Sequence, residues 1–294
     1  MPSTRDIRRR IRSVKNTAQI TKAMQMVASS KMRKAQQAAL SGRPYAVLMN
    51  DVLGAVSAHA GDFSHPLMEH RPARKRAVIL VSTDKGLCGA LNSNLLREAA
   101  KFDKATTLYI CAGRKGSQFI VRTKRTLSAE FTYKDAPLFA EARAISKFAQ
   151  DLFLKGDVDS VDLAFTNFIS TLNQRPEIRP FLPIGEVTAV EAGVEGEGAG
   201  TALPKDSGTE YQFEPGPDQV FGALLPHYLN FRVFQILLEA KASEHSSRMV
   251  AMKNATDNAK QLIKDLTLEY NKLRQANITK ELLEITTAQM ALGN

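Results

Sequence analysis

The hydrophobic pattern is most regular at the two ends of the chain. Residues 227–292 contain neither glycine nor proline, and a single helix over that range would be about 100 Å long. Small or apolar side chains recur there in alternating steps of four and three residues, which predicts a coiled-coil seam that needs a partner helix. The predicted seam comprises Ala255, Ala259, Leu262, Leu266 and Leu273, and continues less regularly towards Thr287.

The N-terminal segment has a matching pattern. Ser3, with Asp6 three residues later, is typical of a helix-capping box, so we expect a helix to begin at Thr4. The same rhythm of four and three residues follows, first with branched and then with small side chains. The predicted seam of this helix includes Ile7, Ile11, Val14, Ala28 and Ala35.

The two seams predict an antiparallel coiled coil of the N-terminal and C-terminal helices. In that arrangement the branched residues from Ile7 to Val14 meet the region of Leu262 to Leu266, and the small residues from Ala28 to Gly42 meet the segment 240–255. The step Gly42-Arg43-Pro44 should kink the first helix, because proline removes a backbone hydrogen bond. We expect this helix to end near residue 60 and its partner to span 218–292.

Between the terminal helices, strand and helix patterns alternate. Residues 77–81 form a continuous apolar run that is typical of a buried parallel strand. This alternation predicts a Rossmann-like α/β domain over 74–215 with a mostly parallel sheet. We predict further strands at 107–112, 161–169, 178–184 and 211–213, helices at 90–102, 117–121 and 139–154, and a flexible loop at 193–208.

Charge is concentrated in the first helix. Residues 1–44 contain eleven Lys and Arg residues but only one acidic residue, whereas the whole chain has a net charge of +10. The first helix therefore carries the entire excess of positive charge. A solvated face would have more acidic residues interspersed, so the pattern favours an acidic partner: nucleic-acid phosphate, an anionic membrane surface or an acidic protein.

The residues offer little for catalysis. The loop 84–89 has glycines between a strand and a helix, but it lacks the spacing of dinucleotide-binding and P-loop motifs. Cys88 has no neighbouring base, and the five histidines have no zinc-site or triad spacing. We therefore predict no catalytic, cofactor-binding or metal-binding residue, and no cofactor. Cys88 and Cys111 are expected to be free thiols in a reducing compartment, and no apolar run approaches the ~20 residues of a membrane span.

Several longer motifs resemble those of one known family. The runs at 20–28 (ITKAMQMVA), 31–34 (KMRK), 82–89 (STDKGLCG), 243–252 (SEHSSRMVAM), 254–259 (NATDNA) and 278–281 (ITKE) resemble the gamma subunit of bacterial F-type ATP synthases. These motifs lie in both terminal segments and in the central region, so the resemblance covers essentially the full length.

This resemblance implies a non-catalytic rotor subunit of the central stalk. It implies partners in a ring of three alpha and three beta subunits, the epsilon subunit and the c-ring of Fo, with catalytic sites on the beta subunits. It implies no nucleic acid, contact with the membrane only through the complex, and a peripheral place on the cytoplasmic face of the bacterial inner membrane. The residues expected to contact the ring are Arg8, Arg9, Arg10, Lys15, Met24, Lys85, Cys88, Arg248, Arg274, Gln275, Thr279 and Glu284.

Two other functions are consistent with parts of the pattern. The basic first helix is also typical of a nucleic-acid-binding coiled coil, whose affinity would fall steeply with salt. The central α/β region would also suit a nucleotide-dependent enzyme, which would be stabilised by its ligand.

Overall fold

The computed structural model describes residues 3–42, 44–45, 48–49, 52–53, 65–72, 74–184, 214 and 216–292. It divides into two compact units. The terminal unit comprises Met1–Ala28 and Met249–Asn294, and the central unit comprises Ser29–Arg248. Within the described ranges, no helix has the length and apolar character that crossing a membrane requires.

The terminal unit consists of parts of two long helices, α1 (Thr4–Ser41) and α5 (Pro217–Leu292). Helix α1 begins where the capping pattern predicts. The Ser3 hydroxyl donates a hydrogen bond of 2.8 Å to Asp6 Oδ2, and the Asp6 amide donates to the Ser3 hydroxyl. This reciprocal bonding satisfies one of the free N–H groups at the start of the helix.

The helices of the terminal unit run antiparallel, as predicted. Near the start of α1, Arg8 Nη2 donates a hydrogen bond of 2.6 Å to the hydroxyl of Tyr270. Further along, the hydroxyls of Thr21 and Thr256 are 2.8 Å apart. As the residue number increases along α1, the number of its partner residue on α5 therefore decreases. On α1 the inward face contains buried Ile7, Thr21 and Ala28, with Ile11, Val14 and Ala18 half-buried.

On α5 the buried stripe differs in phase from the predicted seam. The prediction was wrong at Leu262, which is 38% exposed, while Ile263 is half-buried beside it. After Ala259 the predicted seam steps by three and then four residues, whereas the observed stripe steps by four and then three. The observed stripe includes the polar residues Thr256 and Tyr270, which a search for apolar residues does not select. The inward stripe is Met252, Thr256, Ala259, Ile263, Leu266, Tyr270 and Leu273, with Ala255 half-buried at its side.

The central unit contains a five-stranded sheet in the order β3-β2-β1-β4-β5. Strands β1 to β4 are parallel, and β5 pairs antiparallel with β4 at one edge. The strand bounds are Arg76–Val81 for β1, Thr107–Ala112 for β2, Thr126–Phe131 for β3, Ser160–Phe168 for β4 and Gln174–Leu182 for β5.

Helices cover both faces of this sheet. They are α2 (Leu91–Ala99), α3 (Arg114–Arg122) and α4 (Phe139–Leu154), with a short 3-10 helix at Pro66–Met68. Strand β1 is buried almost throughout because it has neighbours on both sides and helices on both faces. Its Ile79 belongs to the core that contains Phe153 of α4 and Leu229 of α5, whereas Leu80 belongs to a second core with Leu95 of α2.

The mostly parallel sheet between two terminal helices confirms the predicted fold class. Strand β3 was missed, because its six residues alternate only weakly and follow α3 after a short turn. Helix α3 begins three residues earlier than predicted and β5 four residues earlier. Residues 44–45, 48–49 and 52–53 are helical, while the rest of the expected kinked segment to residue 60, the strand 211–213 and the loop 193–208 lie outside the described residues.

The predicted domain limits are not tested by these units. The compact units divide the chain inside α1 and α5, at residues 28 and 248, whereas the predicted limits follow the ends of the helices. The limits at 60, 74, 215 and 218 therefore stay predictions.

Candidate functional site

A short loop follows β1 and presents one apolar side chain to the solvent. Leu87 is 63% exposed, and its φ of 61° lies in the left-handed region, which non-glycine residues adopt uncommonly. Asn92 holds the base of the loop, because its amide donates a hydrogen bond of 2.7 Å to the Thr83 hydroxyl. That hydroxyl in turn donates to the carbonyl of Lys85 at 2.7 Å. The loop is therefore fixed from within while its tip is free to contact a partner.

Helix α5 holds the same loop from the other side. The Ser247 hydroxyl donates a hydrogen bond of 2.7 Å to the carbonyl of Cys88. The guanidinium of Arg248 lies 3.3 Å from the carbonyl oxygen of Gly86 and 3.4 Å from that of Lys85. The structure thus brings together three residues that the sequence analysis predicted as partner contacts, Lys85, Cys88 and Arg248. Of these, Cys88 is buried, so its own side chain does not form the outer surface.

Behind the loop lies a buried cluster of charges that the sequence analysis missed. Glu244 accepts from Lys241 Nζ at 3.0 Å and from Arg248 Nη2 at 2.8 Å. The side chains of Lys241 and Glu244 are 2% and 4% exposed. The ammonium group of Lys241 also lies 4.4 Å from the centre of the Tyr133 ring. Buried charges are costly unless they are paired, and here each one has a partner.

The spacing of this cluster was visible in the sequence, but its burial was not. Lys241, Glu244 and Arg248 are three and four residues apart, which places them on one face of a helix. Such a face is usually solvated. Its burial depends on Tyr133 and Asp135 from the segment after β3, and that strand was not predicted.

The titratable groups around the cluster are shifted by burial and by hydrogen bonds. The hydrogen bond from Lys31 lowers the pKa of Asp135, and the nearby ammonium of Lys241, 3.8 Å away, acts in the same direction. Burial lowers the pKa of His245 and raises that of Tyr133. Protonation of His245 is thus disfavoured in the folded chain.

The two thiols are poorly suited to nucleophilic chemistry. Burial raises the pKa of Cys88, and it raises the pKa of Cys111 to about 12. A thiolate, not a thiol, is the nucleophile and the metal ligand. Among the residues that the structure describes, no group of three or more His, Cys, Asp or Glu side chains is arranged to hold a metal ion.

The remaining predicted contact residues lie in the terminal unit. Arg8 is exposed and stacks on the Tyr270 ring, with its guanidinium carbon 5.4 Å from the ring centre. Met24 is half-buried. From Arg274 to Met290, every side chain of α5 is exposed. The exposed predicted contacts of the terminal unit are Arg8, Arg9, Arg10, Lys15, Arg274, Gln275, Thr279 and Glu284.

The chain is similar to known proteins over nearly its whole length. A family model described as ATP synthase matches residues 3–292. The ATP synthase gamma chain of Opitutus terrae is 50% identical over 296 residues, and the match covers 100% of both chains. The ATP synthase gamma chain of Methylacidiphilum infernorum is 46% identical over 298 residues, again with 100% of both chains covered.

Solved structures show the same fold. A chain of the mitochondrial ATP synthase of Euglena gracilis, in an assembly of OSCP, F1 and c-ring, matches with a TM-score of 0.70 and 19% identity, covering 98% of this chain and 94% of that one. A chain of the central stalk and c-ring of the Tetrahymena thermophila enzyme matches with a TM-score of 0.59 and 23% identity, covering 80% and 99%. By its sequence over nearly its whole length, the chain belongs to the family of ATP synthase gamma chains.

Proposed function

We propose that the chain is the central-stalk rotor subunit of an F1Fo ATP synthase. In this role it couples proton-driven rotation of the c-ring to conformational changes at the catalytic beta subunits, and it carries no catalytic site of its own. The observation that carries the proposal is the antiparallel pairing of α1 and α5 in the terminal unit, through Arg8 with Tyr270 and Thr21 with Thr256. Two helices packed side by side resist bending and twisting better than one.

The proposed mechanism follows from the asymmetry of such a pair. A ring of three alpha and three beta subunits has three equivalent catalytic positions, but one helix pair cannot offer the same surface to all three. Each beta subunit therefore meets a different face of the rotor and adopts a different conformation. Rotation passes these conformations from one beta subunit to the next.

The basic face of α1 is the proposed contact for an acidic segment of the beta subunits. Arg9, Arg10 and Lys15 are exposed, and the first turn of the helix contributes only Asp6 as an acidic residue. An exposed ion pair contributes about 0–1 kcal/mol. Contacts of this size guide the rotor without trapping it at any of the three positions.

The exposed end of α5 is the proposed contact with the upper part of the ring. Arg274, Gln275, Thr279 and Glu284 lie beyond Leu273, which is the last half-buried position of α5 up to Met290. Ile278 and Leu282 are 43% and 58% exposed on the same segment. Apolar side chains on a single exposed helix favour a surrounding protein surface over water.

The loop after β1 is the proposed contact with the beta subunits in the central unit. Leu87 and Lys85 are exposed at its tip, and Arg248 and Ser247 fix its backbone. We also assign Met24 of the terminal unit to this set of beta contacts. Cys88 contributes indirectly: its side chain is buried, and its backbone carbonyl accepts the hydrogen bond from Ser247 that fixes the loop.

The remaining partners follow from membership of the complex. We assign the epsilon subunit and the c-ring as partners of the central unit, and the cytoplasmic face of the bacterial inner membrane as the location, with membrane contact only through the complex. Family membership favours this function over a nucleic-acid-binding coiled coil, and the raised thiol pKa values and lack of a phosphate-binding motif give no support to an enzyme of the central unit.

The decisive experiment reverses the basic face in the assembled complex. The variant Arg8→Glu, Arg9→Glu and Arg10→Glu changes the charge of α1 by six units. Assembly with the alpha and beta subunits, ATP hydrolysis and ATP-driven proton pumping are measured together. We expect loss of assembly or of pumping, because the acidic segment of the beta subunits would then meet like charge.

A matched control makes the same change of charge elsewhere. Lys104, Arg143 and Lys155 are exposed in the central unit, and changing all three to Glu should affect pumping much less. Shortening α5 after Thr279 should weaken the coupling of hydrolysis to pumping gradually. Normal pumping by the α1 variant would contradict the role given to the basic face.

A further inference from the structure

A cavity of about 450 Å³ lies in the central unit between the second half of α1, the segment after β3 and α5. Its volume falls within the range of small-molecule sites, roughly 300–1,000 Å³. Helix α1 lines this space with the small side chains of Ala35 and Ala38, and α5 lines it with the larger side chains of Phe234 and Leu238. None of the described lining residues is itself a proposed ring contact.

One wall contains a buried hydrogen-bond donor without an acceptor. His245 is 2% exposed, and its Nδ1 lies 3.5 Å from Nη1 of Arg248. A guanidinium only donates hydrogen bonds, so Nδ1 is the acceptor and the ring hydrogen of the neutral imidazole is on Nε2. Among the described residues, Nε2 has no hydrogen-bond partner. Buried polar groups normally have one. His245 lines the cavity, but the Nε2 atom itself is sealed from solvent, so an acceptor bound in the cavity reaches it only if the side chain turns towards that space.

The charges around the cavity favour an anion. Lys31 and Lys34 line it, and Asp135 is the one acidic residue among the described residues of the lining. The Asp135 carboxylate is already bonded to Lys31 and lies 3.8 Å from the buried ammonium of Lys241. Lys34 therefore remains as a positive charge that the lining does not balance.

The other walls are apolar and extended. The lining follows α1 from Lys31 to Gly42, a rise of about 16 Å along a helix. Over this length the lining is dominated by alanine, proline, phenylalanine and leucine side chains. An apolar chain would pack against these side chains, whereas a compact polar ligand would leave much of this apolar surface in contact with water.

We propose that this cavity binds a straight-chain amphiphile with a single anionic head group, either a carboxylate or a phosphate monoester. The head lies near Lys34, and the chain extends along Ala35, Ala38 and Phe234. Such a ligand would connect α1, the segment after β3 and α5. This site goes beyond the rotor function and does not depend on it.

Binding to the purified full-length chain tests the proposal directly. Decanoate, decyl phosphate and uncharged decanol are compared by equilibrium dialysis, each below the concentration at which it aggregates. We expect saturable binding of one molecule of an anionic ligand per chain, and affinity for decanol at least about tenfold weaker, since it lacks the charged head. The tighter of the two anions identifies the head group.

Two pairs of variants locate the binding site. Ala38→Leu places a larger side chain in the cavity and should weaken binding at least about tenfold, whereas Gln37→Leu, at an exposed neighbouring position outside the lining, should not. Lys34→Gln should weaken binding of the anions but not of decanol, with Lys22→Gln as its control. Circular dichroism verifies that each variant is folded. No saturable binding, or equal binding of decanol and decanoate, would overturn the proposal, and so would equal binding by the two leucine variants.

Discussion

Thr21 and Thr256 join the two terminal helices through their hydroxyl groups, which are 2.8 Å apart and buried. Each hydroxyl also lies within hydrogen-bonding distance of a carbonyl of its own helix, Ala18 for Thr21 and Met252 for Thr256. One hydroxyl therefore donates across the pair while the other donates to its own backbone. This bond fixes which residues of α1 and α5 face each other in the terminal unit.

The bond between Thr21 and Thr256 predicts a small effect of a single substitution. In Thr256→Val the remaining Thr21 hydroxyl still donates to the carbonyl of Ala18, so no donor is left unsatisfied. We expect the free energy of unfolding to fall by about 0.5–1.5 kcal/mol, the net contribution of one hydrogen bond. Urea unfolding followed by circular dichroism measures it, and amide hydrogen exchange near position 21 verifies where the loss occurs.

The double variant provides the control. Thr21→Val combined with Thr256→Val replaces both hydroxyls by methyl groups of similar shape, so its stability should lie close to that of the unchanged chain or of the single variant. A loss in the double variant that equals the sum of two independent losses would mean that the two hydroxyls do not interact.

The buried charges of α5 predict a much larger effect. In Glu244→Gln the ammonium of Lys241 and the guanidinium of Arg248 lose the carboxylate that both contact. Breaking a buried ion pair by removing one partner costs about 3–5 kcal/mol of stability. We expect a decrease of that order in the free energy of unfolding, measured by urea titration. Adding Lys241→Met to this variant removes the more deeply buried of the two uncompensated charges and should recover a large part of the lost stability.

An exposed pair of the same spacing serves as the matched control. Lys280 and Glu284 are four residues apart on α5, as Glu244 and Arg248 are, but their side chains are 76% and 66% exposed. Glu284→Gln should therefore change the free energy of unfolding by no more than about 0.5 kcal/mol. Similar losses in the two Gln variants would contradict the importance of burial.

The terminal helices could be predicted from sequence because their pattern is local and repeated. Ser3 and Asp6 determine the start of α1, and the branched residue Ile7 begins the inward stripe. On α5 the same reasoning failed at Leu262, because apolarity alone cannot distinguish it from Ile263 one position away. The hydroxyl bond at Thr256 and the stacking of Arg8 on Tyr270 decide the phase, and both depend on the partner helix.

The sites were less predictable, since they depend on contacts between distant parts of the chain. The loop around Leu87 could be identified from its motif, but its attachment to Arg248 spans 162 residues of sequence. The burial of Lys241 depends on the segment after the unpredicted strand β3. The cavity beside Ala38 depends on how α1 and α5 are spaced, and no motif in the sequence encodes that space.

The thiols should be slow to react in the folded chain. Cys88 and Cys111 are buried, and burial raises the pKa of both, to about 12 for Cys111. Because the thiolate is the reactive form, alkylation by iodoacetamide at pH 8 should be far slower in the native chain than in urea. Cys88 lies in a loop and should react before Cys111, which lies in a central strand.

The exposed position 30 supplies a reference for this measurement. A thiol introduced by Ser30→Cys on α1 should react at nearly the rate of a free thiol, and mass spectrometry of digested samples distinguishes the three positions. If Cys111 reacted as fast as the introduced thiol in the absence of urea, its burial in β2 would be contradicted.

Stability should fall as the pH drops below that at which an ordinary histidine titrates. Burial lowers the pKa of His245 from 6.5. Asp135 and Glu244 oppose this shift, whereas Arg248 and Lys241 add to it. The unfolded chain therefore binds a proton on this histidine at a higher pH than the folded chain does. The stability that depends on neutral His245 is fully present above pH 6.5. It is lost as the pH falls towards the lower pKa that His245 has in the folded state.

His245→Gln should remove this part of the pH dependence. For one proton the free energy of unfolding changes by at most about 1.4 kcal/mol per pH unit, so urea titrations between about pH 5 and pH 7.5 resolve the effect. His65→Gln is the control, because burial lowers the pKa of that histidine as well. The loss of pH dependence caused by His65→Gln should add to the loss caused by His245→Gln when the two substitutions are combined. If the free energy of unfolding had the same pH dependence in the unchanged chain and in His245→Gln, His245 would bind its proton equally in the folded and unfolded states. That outcome would contradict its burial beside Arg248.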